Sequence, residues 1–188
     1  IDAQKREELT LMNQLRTDTL TGALNRGAFM EAANRVFAQP RIGGLHALVM
    51  VDVDHFKQVN DRFGHGYGDR VLSRICDLLR NALRADDLVG RIGGDEFVLL
   101  LKNVANREAL QMKIDSLCEQ LNQRICENIT VSCSFGAAAC PEDGGRFDEL
   151  YWKADAALYA AKEAGRNCTR VYEPDMGRSQ PLFETIES

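Results

Sequence analysis

The chain has 188 residues, with 45% hydrophobic and 27% charged side chains and a formal net charge of −5, the composition of one soluble globular domain with extensions and enough length to bury a core. The negative balance excludes a global attraction to nucleic acid or to anionic membranes, so any phosphate recognition must be local. No apolar run approaches a membrane span and no signal peptide is visible; the six cysteines form no C-x-x-C pair and meet no histidine at zinc-finger spacing, so they read as reduced, mostly buried thiols of a cytoplasmic protein.

The chain opens on Ile1 rather than Met, which reads as a fragment or a processed chain. Residues 1–17 are polar, with Leu9, Met12 and Leu15 at helical spacing. They predict a helix entering the domain or the end of a signalling stalk; too few heptads stand here to separate a coiled coil from a single helix. Asp18 to Arg26 reads as a turn, Gly27 to Phe37 as a helix, and Pro40 with Gly43-Gly44 as a loop. The near-continuous apolar run from His46 to Val53 predicts a strand buried on both faces. Asp52 and Asp54 close that run, and at a spacing of two they share a face.

A short helical stretch to about Phe63 follows, then a glycine-rich segment at Gly64–Gly68 and a helix that Asp69 opens. Its apolar residues, Val71, Leu72, Ile75, Leu78, Leu79, Ala82 and Leu83, recur with the 3.6-residue period. Gly93-Gly94 between two apolar runs predicts a tight two-residue hairpin turn, with glycines supplying the positive φ angles. Asp95 and Glu96 follow directly, and on a strand they would point to opposite faces. A helix from about Arg107 to Leu121, a strand from Ile129 to Ala139, and a helix from Asp148 to Ala164 closed by Gly165 complete the pattern. Residues 174–188 predict a loose tail after a domain spanning 18–173.

The order strand, helix, hairpin, helix, strand predicts an α/β (α+β) fold with a ferredoxin-like, palm-type β-α-β-β-α-β core, extra helices and a mainly antiparallel central sheet. In that topology the first strand lies centrally beside the hairpin, so Asp52 and Asp95 meet at one edge of the sheet. Converging carboxylates need a cation, and hard oxygen ligands without a Cys or His set point to Mg²⁺, with Mn²⁺ as a substitute. Mg²⁺ held by few carboxylates takes its other ligands from water and phosphate, which suggests a nucleoside triphosphate.

Four ordered blocks then carry a family likeness: Asp18-x-Leu20-Thr21-x-x-x-Asn25-Arg26; Asp52-x-Asp54-x-Phe56-Lys57-x-x-Asn60-Asp61-x-x-Gly64-His65-x-x-Gly68-Asp69; Gly93-Gly94-Asp95-Glu96-Phe97; and Asp155-x-Ala157-Leu158-Tyr159-x-Ala161-Lys162-x-x-Gly165-Arg166-Asn167. Together they resemble the GGDEF family of diguanylate cyclases, which condense two GTP into cyclic di-GMP. The resemblance implies a homodimer with one GTP per protomer, an upstream sensory domain outside this chain, and no contact of this segment with nucleic acid or membrane.

By the same resemblance, Asp52, the Val53 carbonyl and Asp95 bind the metal, and Asp95 and Glu96 carry the chemistry, Glu96 as a base or metal ligand at the 3′-hydroxyl. The backbone amides of His55, Phe56 and Lys57 cradle phosphates, with the His55 side chain a packing variant rather than a ligand. Asn60 and Asp69 read the guanine edge, although Asp69 also stands where a helix N-cap belongs. Lys162 and Arg166 meet the terminal phosphates, although cations at a helix C-terminus are common for dipole reasons alone. Arg84-x-x-Asp87, with five residues between Asp87 and Gly93, matches the family's inhibitory site for cyclic di-GMP; the plain alternative is a helix end followed by an acidic turn. Two rival readings of the whole are a GTP- or cyclic di-GMP-binding module without turnover, and a dimerisation domain.

Overall fold

The computed structural model describes residues 2–39, 41, 43–122 and 129–176. Pro40 of the expected loop, Cys126 and residues 177–188 of the expected tail lie outside them. The elements run α1 (Ala3–Gln14), α2 (Arg26–Ala38), β1 (Leu45–Val53), α3 (Phe56–Phe63), α4 (His65–Ala82), β2 (Leu88–Arg91), β3 (Glu96–Val104), α5 (Arg107–Asn122), β4 (Cys133–Cys140), α6 (Phe147–Glu163) and β5 (Thr169–Val171).

Strand β1 is buried along its whole length, as its near-continuous apolar run requires, with His46 and Asp52 the two polar residues buried in it. It pairs antiparallel with β3 on one side and with β4 on the other, in the strand order β2-β3-β1-β4-β5. Alternation divides its side chains between two cores. Val49, Val51 and Val53 pack with residues of α4 and α5, and Leu48 and Met50 pack with α2 and α6. The first four strands stand in the ferredoxin-like order, with β1 central beside the hairpin.

Helix α6 lies unusually close to β4. A Cβ on Gly136 would come within 2.2 Å of the Leu158 backbone nitrogen and 2.3 Å of the Ala154 carbonyl oxygen. The alanines at 154, 157 and 161 let the helix settle there, fully buried along that face. That close seat brings the end of α6 to the strand ends that carry Asp52 and Asp54.

Four local expectations are corrected. The hairpin turn spans Ile92–Asp95 rather than two residues, closed by the Ile92 amide donating to the Glu96 carbonyl at 3.0 Å. Neither Gly93 nor Gly94 has positive φ, because the longer turn reverses the chain without it. Asp95 therefore sits in the turn, not on the strand, and strand alternation does not separate it from Glu96. Asp69 does not open a helix: α4 begins at His65 after Gly64, whose φ is 84°. Glycines 66 and 68 suggested a loop, but Gly68 is where α3 and α4 touch; a Cβ there would fall 1.9 Å from Asn60 Oδ1. The final strand begins at Cys133 rather than Ile129, and the sheet gains β5, parallel to β4, which is too short to show a period in the sequence.

Helix α1 ends at Gln14, and Leu9, Met12 and Leu15 are all more than half exposed. The segment after it docks on the sheet: Thr17 bridges Leu24, Leu24 bridges Gly90 of β2, and the Arg91 amide donates to the Leu24 carbonyl at 2.8 Å. The five described cysteines are free; four are buried and Cys168 is half-buried. Among the described residues no helix is long and apolar enough to cross a membrane.

Candidate active site

The site grows from the register of β1 against β3. Asp52 stands opposite Glu96, and the Val53 amide donates to the Asp95 carbonyl at 3.2 Å. Both Asp52 and Glu96 fall on the face covered by α2 and α6. Asp52 is 6% exposed. Its Oδ2 accepts from the Lys162 ammonium of α6, and its Oδ1 has no protein partner. Burial pushes its carboxyl up to about 6; Lys162 opposes that rise and the adjacent Asp95 adds to it. Burial likewise raises Glu96, reinforced by the charges of Asp95 and Asp155 and offset by Lys162 and Arg26.

Asp52, Asp95, Glu96 and Lys162 are thus brought together, with the Val53 backbone beside them. Among the described residues no group of three His, Cys, Asp or Glu side chains is arranged to hold a metal ion. Two carboxylates, one of them with an orphaned buried oxygen, and a main-chain carbonyl still fit a hard cation that keeps most of its ligands as water or phosphate. Mg²⁺ or Mn²⁺ suits this donor set, and a soft metal does not.

Asp54 shares the face of Asp52 but serves a different end. Its carboxylate accepts from Ser132 Oγ and Ser134 Oγ, each at 2.6 Å, and from the Asn167 amide at 3.0 Å. It fastens the end of β1 to β4 and to the turn after α6. That turn runs left-handed through Gly165, Arg166 and Asn167, with φ of 113°, 63° and 48°, and it leaves Arg166 exposed past the end of α6.

The residues between β1 and α3 form the neighbouring wall. His55 adopts φ 55° and ψ 32° and caps α3 with its backbone alone. Its side chain is exposed, which corrects the expectation that it packs. The amides of His55, Phe56 and Lys57 have no acceptor among the described residues, the usual state of a helix's first N–H groups. Asn60 faces α4 with its Oδ1 buried and unpartnered. Asp69 lies exposed one turn into α4, where it caps nothing.

Arg84 and Asp87 stand apart, at the far end of β2 from the hairpin turn. The Asp87 carboxylate accepts from the Arg84 amide at 3.1 Å and from the Lys102 amide at 2.9 Å. Both residues border a cavity of about 440 Å³ that Lys102, Met112 and Lys113 also line. The acidic turn is therefore well built, and the Arg84 side chain is exposed beside it.

Three polar residues at this site had no role assigned from the sequence. Arg26, at the start of α2, holds its guanidinium 5.7 Å from the centre of the Tyr151 ring. Tyr151, Asp155 and Arg26 all lie within electrostatic reach of Glu96. Arg26 and Asp155 stand inside the recurring blocks, but only the fold shows that α2 and α6 converge on the hairpin.

The diguanylate cyclase, GGDEF domain family matches residues 15–168. A diguanylate cyclase of Shewanella oneidensis, DgcS, is 34% identical over 177 residues, which cover 91% of this chain and 57% of that protein. The cyclic di-GMP phosphodiesterase PdeR of Escherichia coli is 33% identical over 192 residues, covering 99% of this chain and 28% of that protein. The chain thus spans about half of the first relative's length and about a quarter of the second's. Among solved structures, the GGDEF domain of TpbB (YfiN) from Pseudomonas aeruginosa superposes with a TM-score of 0.77 at 33% identity, covering 84% of this chain and 94% of that one. The coiled coil and GGDEF domain of DgcB from Caulobacter crescentus, in complex with c-di-GMP, gives 0.79 at 28% identity, covering 90% and 91%. With the matched family running from the residues after α1 to the turn beyond α6, this chain belongs to the GGDEF domain family.

Proposed function

We propose that the chain is an active diguanylate cyclase domain. It would join two GTP molecules into cyclic di-GMP and release pyrophosphate, working as a homodimer with one GTP in each protomer. The observation that carries this reading is the buried Asp52 with an orphaned oxygen, opposite Glu96 and beside Asp95, next to three free backbone amides.

In this reading the His55, Phe56 and Lys57 amides hold the β- and γ-phosphates, aided by Lys162 and Arg166. Asn60 reads the guanine edge through its side-chain amide, and Asp69 accepts from the ring N–H and amino group. Asp52, Asp95 and the Val53 carbonyl hold Mg²⁺, which when bound stabilises charge developing on the α-phosphate. Glu96 takes the 3′-hydroxyl proton; a carboxylate raised by burial suits a base working near neutral pH. Lys162 keeps Asp52 ionised and leaves it for phosphate as the site fills.

Product held by Arg84 and Asp87 would inhibit from a distance, since that site lies at the other end of β2. Helix α1 would carry the influence of a sensory domain upstream, in a cytoplasmic protein. A binding module without turnover is favoured by one fact, that PdeR, named as a phosphodiesterase, matches this chain along nearly its whole length. Incubation with GTP and Mg²⁺, read by mass spectrometry, separates the two. Cyclic di-GMP and pyrophosphate are expected; GTP bound but unchanged would overturn the cyclase reading.

A further inference from the structure

One half of the trough between α6 and the strand ends has no assigned occupant. Tyr151, Asp155 and Lys162 lie on one face of α6 at spacings of four and seven, spread over about 16 Å of helix. Lys162 attends Asp52 at one end. Glu96 stands opposite Asp52 and feels the charges of Lys162, Asp155 and Arg26 together, and toward the other end Arg26 leans on the Tyr151 ring from α2.

Arg26 is the unspent cation of this group. Among the described residues its guanidinium makes no hydrogen bond and no ion pair, whereas Arg91, Arg107 and Lys162 are all committed to carboxylates. It is also held in place. Asn25 caps α2 through its side chain, which accepts from the Ala28 amide at 3.0 Å and donates to the Leu15 carbonyl at 2.7 Å. The neighbouring helix start therefore fixes where the arginine stem leaves the backbone, and the aromatic ring fixes where its head rests.

We propose that Arg26 is a substrate-positioning residue for the second GTP, the one whose 3′-hydroxyl attacks; this rests on the cyclase reading above. The first GTP is served by Asp52, Lys162 and the α3 amides, so a cation at the Tyr151 end of α6, about 16 Å along the helix from Lys162 yet within reach of Glu96, meets the incoming sugar-phosphate. Its fork of N–H donors matches phosphate oxygens, and Tyr151 keeps it from collapsing onto Glu96. In the step it serves, the 3′-oxygen forms a bond to the α-phosphorus of the resident GTP. The bond from that phosphorus to the bridging oxygen breaks, pyrophosphate leaves with its electron pair, and the proton passes to Glu96. Arg26 touches no reacting atom; it aligns the nucleotide that supplies one.

The test compares wild type with Arg26→Met, which keeps the stem against Tyr151, and Arg26→Lys, which keeps the charge. Binding of the first nucleotide is measured by calorimetry with a GTP analogue whose α,β-bridge is methylene, and turnover by cyclic di-GMP formation with GTP and Mg²⁺. Arg26→Met is expected to bind the analogue within about two-fold of wild type but to turn over about a hundred-fold more slowly, the loss expected when a reacting group is misplaced by about 1 Å. Arg26→Lys should recover part of the rate. Wild-type turnover by Arg26→Met would overturn the inference, and so would a matching loss of analogue affinity, which would place Arg26 on the first nucleotide. Failure of wild type itself to form product would instead overturn the cyclase reading.

Discussion

Replacing Asp52 by asparagine should stabilise the metal-free protein. Its carboxyl loses a proton at about 6 in the folded chain against 3.8 for the ordinary group. The unfolded chain ionises first, so this group withdraws stability from the fold as pH rises from about 4 to 6. At about 1.4 kcal/mol per pH unit, the difference amounts to about 3 kcal/mol at neutral pH. The favourable contact with Lys162 is already contained in that figure, since Lys162 lowers the value that burial raises. Asparagine in the same place leaves an amide atom short of a partner, at about 1 kcal/mol. The net gain is about 2 kcal/mol, or roughly 4–8 °C in melting temperature for a domain of this size. Thermal melts by circular dichroism in EDTA at pH 7.5 test it. At pH 5 the advantage should shrink, because wild type then holds its proton. Saturating Mg²⁺ should raise the wild-type melt and leave Asp52→Asn unmoved. A variant that melts below wild type at pH 7.5 in EDTA would mean the Lys162 pair outweighs burial, and the reasoning would be wrong.

Glu96→Gln should abolish turnover, and the acid limb of the wild-type kcat/KM profile should lie above the ordinary 4.5 of a glutamate; a limb at that ordinary value would remove Glu96 as the base. Asp69→Ala should leave the melting temperature unchanged, because the residue caps no helix, while GTP binding weakens about ten-fold and selectivity over ATP narrows. Retained GTP affinity in a competition titration would remove Asp69 from the guanine edge. Arg84→Ala should weaken cyclic di-GMP binding by roughly ten- to a hundred-fold with no change in initial GTP turnover. Asp87→Ala should in addition cost about 1–2 kcal/mol in stability, since two backbone amides lose their acceptor; calorimetric titration and melts of both variants check the pair.

The sheet was legible because β1 is apolar at seven of its nine residues and the helices around it keep their period, so strand order followed from the order of elements. The convergence of Asp52 and Asp95 followed from that order too. What escaped the sequence was decided by close packing. Gly68 belongs to a glycine-rich segment by composition, yet it stands inside α4, at a contact with α3 where a Cβ would fall 1.9 Å from Asn60 Oδ1. The hairpin's paired glycines suggested a two-residue turn, while Arg91 holds a longer one by donating to the Gly94 carbonyl at 2.7 Å. Asp54 stands in the same block as Asp52, and only the placement of Ser132, Ser134 and Asn167 around it shows that it is a fastening. Arg26 stood in the first block without a role, because its contact is with a ring 125 positions away.

The sheet ends on two very short strands, β2 of four residues and β5 of three. One of them is further occupied, since Leu24 bridges Gly90 and takes backbone hydrogen bonds at Val89 and Arg91 that a foreign strand would need. Open strand edges are where proteins template their own fibres. A domain that meets a second copy of itself to act, as proposed above, would face that hazard at every encounter. Here the ladder offers little on which another chain could continue, so raising the local concentration favours facing sites over stacked sheets. Lengthening β5, or stripping residues 17–24 from β2, would expose the ladder to continuation by another chain.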